Sequence, residues 1–365
     1  MVDGFSDRFT VLLPHADPAM VVSAVRTHRP VRTSAGGGAD WVRGCADLAR
    51  SKDAAERWKG VKLLEQAFAD CSKESMAQVQ VASIGVLISL LNPGEPAGIR
   101  SSACQALSEL HAAVARIPAQ SGGNKDAAIL LGRFIPEVIK ICYAGSAEGN
   151  VGADTEATRS ALGAARRCTT AHPAAMRPYC LQLIGASLRL LSHPDAGVRH
   201  DASMALSVLP AAAPKDASLV EGGKPTGPLW QTLVSGLVQA CSCLLWHVDG
   251  IRPDGSSSPS PGVEGVSHPD LRQVATLPGG SRDKQPGERF RLAVSLADRF
   301  GGLVGALGRL LHGGGGYAGE GTVPTLSIVQ IIERVLVLTE SGLFKASFKH
   351  ESGVIPEMLA LVLAR

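Results

Sequence analysis

The residues of this chain whose types and spacing could do chemistry are, first, its cysteines. Eight are present, at 45, 71, 104, 142, 168, 180, 241 and 243. Only Cys241 and Cys243 lie close together, inside the run LVQACSCLLW, and residues two positions apart on a helix lie on different faces. Because no CxxC pair and no histidine at zinc-finger spacing accompanies them, no metal, cofactor or redox site is predicted. The cysteines are interpreted as small buried residues in a reducing, intracellular compartment.

A glycine run, HGGGG at 312–316, could cradle a phosphate or form an oxyanion hole. A phosphate-binding loop follows a strand and ends in GK[ST], and an esterase loop works with a GxSxG nucleophile. Neither motif is found in the sequence. Histidines and carboxylates are dispersed, without paired carboxylates or a Ser/His/Asp set, so the sequence predicts that the protein is not an enzyme.

Two short motifs occur twice each. The tripeptide His-Pro-Asp, at 193–195 and 268–270, also marks J-domain co-chaperones, and LxxLL strings at 87–91 and 307–311 match a helix that docks into hormone-receptor grooves. Amphipathic core helices produce LxxLL spacing readily, and both strings lie where a core is expected. Both motifs are therefore interpreted as structural or fortuitous.

The overall charge of the chain indicates no particular partner. A formal net charge of +3 and an isoelectric point near 8.4 are too mild for a dedicated nucleic-acid-binding protein. The densest basic cluster is a candidate contact patch for rRNA or an acidic partner, and a solvated helix end explains it as well. This cluster consists of Arg26, His28, Arg29 and Arg32. Direct RNA contact is left open.

Helices are the elements that must position all of these residues. Apolar residues recur at helical spacing through most of the chain, and alternating strand-like runs are not found. The spacing predicts helices at 18–28, 38–51, 53–71, 74–92, 97–117, 125–143, 154–171, 174–192, 195–210, 227–248, 288–312, 322–341 and 352–365. Residues 229–248 are uncharged, but their polar side chains favour a buried helix over a membrane span. The opening residues MVDGFSDRFT do not resemble a signal peptide.

A repeated phrase indicates how the helices are arranged. PAGIRSSACQALSEL begins at 96, and PDAGVRHDASMALSVL places the same pattern 99 residues later. A helix-initial proline, an arginine and then spaced alanines and leucines are typical of HEAT-type repeats, whose period is about 40 to 47 residues. The predicted fold is an all-α, HEAT/armadillo-like helical-repeat solenoid. Arg100 and Arg199 are predicted to brace adjacent repeats through a carboxylate or a helix C-terminus.

The composition divides the predicted solenoid into three parts. Residues 1–248 form the first part, and helices over 288–365 are expected to continue the same solenoid. Between them, 249–287 is rich in Pro, Gly and Ser and is predicted to be a disordered insertion, with apolar residues near Leu271 able to dock locally.

Several segments resemble, in order and spacing, the N-terminal helical region of the proline-, glutamate- and leucine-rich protein family. This family contains the animal and plant counterparts of the yeast Rix pre-rRNA-processing scaffold. The matching segments begin at residues 51, 166, 229, 295 and 323. The early R-x-x-G-x-x-L-L helix of the family is matched by Arg57, Gly60, Leu63 and Leu64, and its late R-F-x-G-L helix by Arg299, Phe300, Gly302 and Leu303.

The resemblance implies a non-enzymatic scaffold in ribosome biogenesis. Members of the family support pre-rRNA spacer processing and late maturation of the large (60S) subunit in the nucleus, nucleolus and nucleoplasm. The partners implied are a WD-repeat propeller subunit, a second helical-repeat subunit, the pre-60S particle and its AAA ATPase remodeller. No contact residue is carried over from the family, because the matched positions resemble core and hinge.

Two further expectations rest on the residues themselves. The low charge and the uncharged segment 229–248 predict an extensive apolar interface, with self-association among the possibilities. The helical pattern alone also suits a generic helical-repeat adaptor, acting in nuclear transport, as a co-chaperone or as a transcription coregulator.

Overall fold

The computed structural model describes residues 39–70, 83–115, 123–146, 154–213, 229–249, 268–276, 286–313 and 323–340, together with Asp17, Met20 and Ser23. Every element in these ranges is a helix, which confirms the predicted all-α helical-repeat fold. The predicted helix at 352–365 lies outside the described residues, as does nearly all of the helix at 18–28.

The chain divides into two compact units, Met1–Tyr179 and Cys180–Arg365. The division falls inside the segment 1–248 that the sequence predicts as one part, so helical periodicity alone does not mark it. Continuity of one solenoid through 288–365 stays a prediction.

The first unit is built around one central helix, α3. Thirteen of the nineteen residues of α3 are buried, which is more than one helix face, because neighbouring helices cover it on both sides. Its small residues Ala103 and Ala106 let α2 and α5 approach closely. The helices of this unit are α1 Ala39–Leu48, α2 Ala54–Asp70, a helical stretch at 83–89, α3 Ala97–Ala115, α4 Gly123–Gly145, α5 Thr155–Ala171 and α6 Pro173–Met176, which leads into a 3-10 turn, Arg177–Tyr179.

In the second unit, the long helix α12 packs against both α8 and α10. The helices of this unit are α7 Cys180–Leu190, α8 Ala196–Leu206, α9 Leu209–Ala212, α10 Leu229–Asp249, α11 Pro269–Ala275, α12 Pro286–Gly313 and α13 Thr325–Glu340. Two helices predicted as continuous are interrupted, near Pro178 and before Pro210. Proline has no backbone N–H to donate, so each marks a break in the helical hydrogen bonds.

The helix α10, which is uncharged over 229–248, packs inside its own unit over the residues whose side chains are described. Its apolar side chains, among them Leu233, Leu237 and Leu244, are fully buried against neighbouring helices. Over 229–245, where the side chains are described, the apolar residues pack within the chain rather than forming the expected interface, and self-association stays a prediction. Across the described residues, every helix is too short or too polar to cross a membrane.

A short helix occupies part of the segment predicted to be disordered. Leu271 and Val274 lie one turn apart on α11 and are buried against α7 and α10. Their apolar side chains explain why these residues are helical and why local docking near Leu271 is observed. The flanking ranges 250–267 and 277–285 lie outside the described residues.

Candidate functional site

Arg100 connects α3 to the start of α5. The arginine lies in the first turn of α3 and is 4% exposed. Its Nε donates to the backbone carbonyl of Glu95 at 3.1 Å, and its Nη2 donates to the carboxylate of Asp154, the residue before α5. Burial lowers the pKa of this guanidinium. The side chain thus contacts a backbone carbonyl of its own turn and a carboxylate of another helix.

Arg199 has an equivalent set of contacts 99 residues later. Its Nη1 donates to the carbonyls of His193 and Pro194 at 2.7 and 2.8 Å, in the turn before α8. Its Nη2 lies 2.8 Å from the carboxylate of Asp298 on α12. Burial raises the pKa of Asp298, against the opposing effect of the Arg199 charge. Both arginines therefore contact a carboxylate distant in sequence and a backbone carbonyl of the turn before their own helix, while the bracing of adjacent repeats stays a prediction.

Arg57 makes the same set of contacts, which the sequence analysis missed. Its Nη1 donates to the carbonyls of Ser51 and Lys52 at 3.0 and 2.7 Å, and its Nη2 lies 2.9 Å from the carboxylate of Glu95. Arg57, Arg100 and Arg199, the arginine series, each donate to the carbonyl five positions earlier. In each case the arginine is the fourth residue of its helix, and this shared position was the signal available in the sequence.

Glu95 joins two members of the arginine series. Its side chain accepts from Arg57, while its backbone carbonyl accepts from Arg100. Because Arg100 also binds Asp154, a continuous line of polar contacts runs from α2 through α3 to α5. This line joins the starts of α2, α3 and α5.

The glycines of the two family-like motifs both lie where helices cross at very short distance. A Cβ at Gly60 would lie 2.4 Å from the backbone nitrogen of Ala49, and a Cβ at Gly302 would lie 2.1 Å from the backbone oxygen of Leu191. Real Cβ atoms do not approach backbone this closely, so only glycine fits either position. The apolar residues beside them are buried, namely Leu63, Leu64, Phe300 and Leu303.

Arg299 stands three residues before its glycine, as Arg57 does in the earlier motif. Its Nη1 donates to the carbonyls of Gln273, Val274 and Thr276 at 3.1, 3.1 and 2.5 Å. These carbonyls belong to the end of α11, where backbone acceptors lack helical partners. In both motifs an arginine satisfies backbone carbonyls, and a glycine one turn later permits a close crossing.

A second polar line crosses the same three helices of the first unit. Lys62 Nζ donates to Gln105 Oε1 at 2.8 Å, and Gln105 Nε2 donates to Ser160 Oγ at 3.3 Å. Further along, Arg167 Nε donates to Ser108 Oγ at 2.6 Å. These side chains are satisfied by one another, which suits inter-helix positioning rather than acid–base chemistry.

Both His-Pro-Asp tripeptides lie at a helix start and share one hydrogen bond, although α8 begins after its aspartate and α11 at its proline. The backbone N–H of Asp195 donates to His193 Nδ1 at 3.0 Å, and that of Asp270 donates to His268 Nδ1 at 3.1 Å. Asp195 also caps α8 by accepting from the Val198 N–H at 2.9 Å. Burial lowers the pKa of both histidines. The repeated tripeptide is therefore a local helix-start structure.

A cleft of about 500 Å³ lies between α1 and the start of α2. Its walls include Asp47 and Glu56, but Arg50 pairs with the first carboxylate and Ser51 Oγ donates to the second.

Within the ranges that the structure describes, no three His, Cys, Asp or Glu side chains could hold a metal ion. Burial raises the pKa of the Cys241 thiol to about 12, in an environment that does not activate it.

The remaining candidate motifs are either buried or outside the described ranges. Five of the six leucines of the two LxxLL strings are buried, including Leu87, Leu91 and Leu310, and Leu311 is half-buried, so the folded chain does not present these strings to a receptor groove. The predicted contact patch lies outside the described residues, namely Arg26, His28, Arg29 and Arg32.

Comparison with known proteins places these features in a family context. A family model described as RIX1, rRNA processing and ribosome biogenesis, matches residues 11–197, just over half of the chain. The matched range contains α1 to α7, and with them the contacts of Arg57 and Arg100. No curated protein matches the chain.

Proposed function

The chain belongs to the RIX1 family of rRNA-processing and ribosome-biogenesis proteins, and on that premise we propose that it is a non-enzymatic scaffold for large-subunit assembly. In this role it supports removal of spacer sequences from pre-rRNA and late maturation of the 60S precursor. The family match over residues 11–197 is the observation that carries the proposal.

The side-chain chemistry of the first unit is in keeping with a scaffold. The ionisable groups of the α2–α3–α5 line are engaged with one another and with backbone carbonyls, as in the contact between Arg100 and Asp154. Such contacts hold helices in register, and stacked helical repeats present extended surfaces for other proteins. A scaffold needs this rigidity more than it needs a convergent reactive site.

The proposed partners follow from the same family. They are a WD-repeat propeller subunit, a second helical-repeat subunit, and the pre-60S particle with its AAA ATPase remodeller. The proposed location is the nucleolus and the nucleoplasm. For direct RNA contact, the segment to test is the basic cluster Arg26, His28, Arg29 and Arg32.

Depletion and rescue in cells test the proposed function. The endogenous protein is depleted, pre-rRNA is hybridised with spacer probes, and subunits are separated on sucrose gradients. We expect spacer-containing precursors to accumulate and the ratio of 60S to 40S subunits to fall, with both effects reversed by the full chain. Unchanged precursors and an unchanged subunit ratio after depletion would overturn the proposal.

Purification of the tagged full chain from nuclear extract distinguishes the scaffold from a generic adaptor. We expect a WD-repeat protein, a second helical-repeat protein and large-subunit pre-rRNA to be recovered together. Recovery of transport receptors or chaperones without pre-rRNA would instead favour the adaptor. A charge-removing variant of the basic cluster, with Arg26, Arg29 and Arg32 changed to Gln, then tests whether pre-rRNA recovery depends on it.

A further inference from the structure

Helix α13 carries an exposed apolar stripe. Of the nine exposed large apolar side chains among the described residues, five lie between 323 and 336, so they form a patch rather than scattered single residues. Four of them follow helical spacing of three, three and four residues along one face, which also carries the exposed Glu333. The stripe consists of Leu326, Val329, Ile332 and Leu336, which are 72%, 41%, 51% and 48% exposed.

Another face of the same helix is already packed. Ile331 is buried, and α13 packs against α10. The helix is therefore anchored to its unit on one face, while the stripe faces away from that contact. Amphipathic helices ordinarily turn their polar face to solvent, so an apolar face in this position indicates a missing neighbour.

The sequence that follows α13 contains a segment that fits this role. Residues 352–365 read SGVIPEMLALVLAR, with Pro356 suited to the first turn of a helix. Apolar residues recur there at the i, i+3, i+4, i+7 and i+8 positions of one helical face. These residues are Ile355, Met358, Leu359, Val362 and Leu363.

The connection between the two is long enough for the chain to return. Eleven residues, 341–351, separate the end of α13 from this segment. Extended, they span up to about 36 Å, while the sixteen residues of α13 measure about 24 Å. The two apolar faces also match in length, at about 15 Å for 326–336 and about 12 Å for 355–363.

We propose that residues 352–365 form a helix that packs antiparallel on the stripe of α13. A segment tethered by a short connection is present at an effective concentration near the millimolar range, which favours it over a separate molecule. The segment carries only Glu357 and Arg365 as charged groups, so its docking brings little charge to the apolar surface.

Thiol labelling of the full chain tests this proposal. Ile332→Cys places a thiol on the stripe, and Gln330→Cys places a matched thiol on an exposed position of the same helix off the stripe. The reaction of the parent chain, which carries only the native cysteines, is subtracted from each measurement. The corrected labelling rate is then divided by the rate of the same thiol in denaturant. We expect Ile332→Cys to react about tenfold more slowly than Gln330→Cys, since burial hinders access of the reagent.

Substitution of the proposed occupant completes the test. Two further substitutions, Leu359→Asp and Val362→Asp, are added to each variant. They are expected to raise the labelling rate of Ile332→Cys to that of Gln330→Cys. The labelling rate of Gln330→Cys should not change. The proposal is overturned if Ile332→Cys already reacts as fast as the control. The proposal is also overturned if Ile332→Cys is still labelled slowly in the Asp variant. In that case, a labelling rate that falls as the protein concentration rises would identify a second copy of the chain on the stripe.

A cross-linking measurement keeps the test decisive if the Asp variant does not fold. The pair Ile332→Cys and Leu359→Cys should form an intramolecular disulfide under mild oxidation, because helices in contact bring Cβ atoms within disulfide range. The pair Gln330→Cys and Leu359→Cys should form an intramolecular disulfide much more slowly and in lower yield. Equal yields from the two pairs would contradict the proposed docking.

Discussion

Arg100 and Asp154 stand 54 residues apart in the sequence, and their side chains form an ion pair that joins α3 to α5. Arg100 is almost entirely buried, and Asp154 is mostly so. A second hydrogen bond, from Arg100 to the Glu95 carbonyl, holds the guanidinium in place. Removing one partner of such a pair leaves a buried charge without compensation, which is more costly than the pair itself is stabilising.

Arg100→Ala is expected to lower the free energy of unfolding by about 3 kcal/mol, because Asp154 and the Glu95 carbonyl lose their donor. Urea denaturation followed by circular dichroism measures the change. Arg50→Ala is the control, since Arg50 pairs with Asp47 at an exposed position. It should change the same quantity by less than about 0.5 kcal/mol. Equal effects of the two substitutions would show that Arg100 does not brace the helices.

Gly302→Ala is expected to destabilise the second unit by about 2 kcal/mol. The added methyl group would meet the Leu191 backbone oxygen, which cannot move aside as a flexible side chain can. Gly301→Ala is a closely matched control, because a Cβ there meets nothing within 4 Å. In the control, alanine should raise stability by about 0.5 kcal/mol through its higher helix propensity. Thermal unfolding of the two variants should therefore shift in opposite directions.

Sequence reasoning predicted an inter-helix role for Arg100 and Arg199, because a repeated phrase placed both at the same point of a helix. It did not extend that role to Arg57, whose surrounding residues differ although its contacts are the same. The pattern around an arginine shows where the helix begins. The carboxylate that it meets lies 38 residues away in the case of Arg57, and only the folded chain reveals it.

The sequence was less informative about which apolar residues face other helices. Residues 229–248 and the helix at 322–341 have similar apolar content, yet Leu237 is buried and Leu326 is exposed. Periodicity indicates that a helix has an apolar face, but it does not identify the neighbour that covers that face. The short helix at Leu271 was also difficult to predict, because seven residues between Gly- and Pro-rich stretches give little periodic signal.

The free energy of unfolding is expected to fall as the pH drops from 7 to 5. The rings of His111 and His172 lie edge to face with centroids 5.0 Å apart, and burial, together with His172, lowers the pKa of His111 to about 4 from 6.5. Between these two pH values the unfolded chain binds more protons than the folded chain, so stability present at neutral pH is lost on acidification. His111 alone should account for about 2 kcal/mol of this loss.

Urea titrations at pH 7 and pH 5 measure this dependence. Burial also lowers the pKa of His172, His193 and His268, so these groups should add to the same loss, while the raised pKa of Asp298 opposes it. The His111→Phe variant should show a smaller difference between the two pH values than the parent chain. The His312→Phe variant, changed at an exposed position, should not. A His111 variant with an unchanged pH difference would mean that this ring does not control the acid sensitivity.

The cysteines should be nearly unreactive in the folded protein. All seven in the described residues are buried and outside any disulfide, and burial raises the pKa of Cys104, Cys168 and Cys241 to about 12. Because the thiolate is the reacting species, both access and ionisation are suppressed. In a Cys71→Ser chain, a disulfide reagent at neutral pH should therefore titrate fewer than one thiol rapidly, and all seven in denaturant. Rapid reaction mapped to Cys241 or Cys243 would contradict their assignment as core residues.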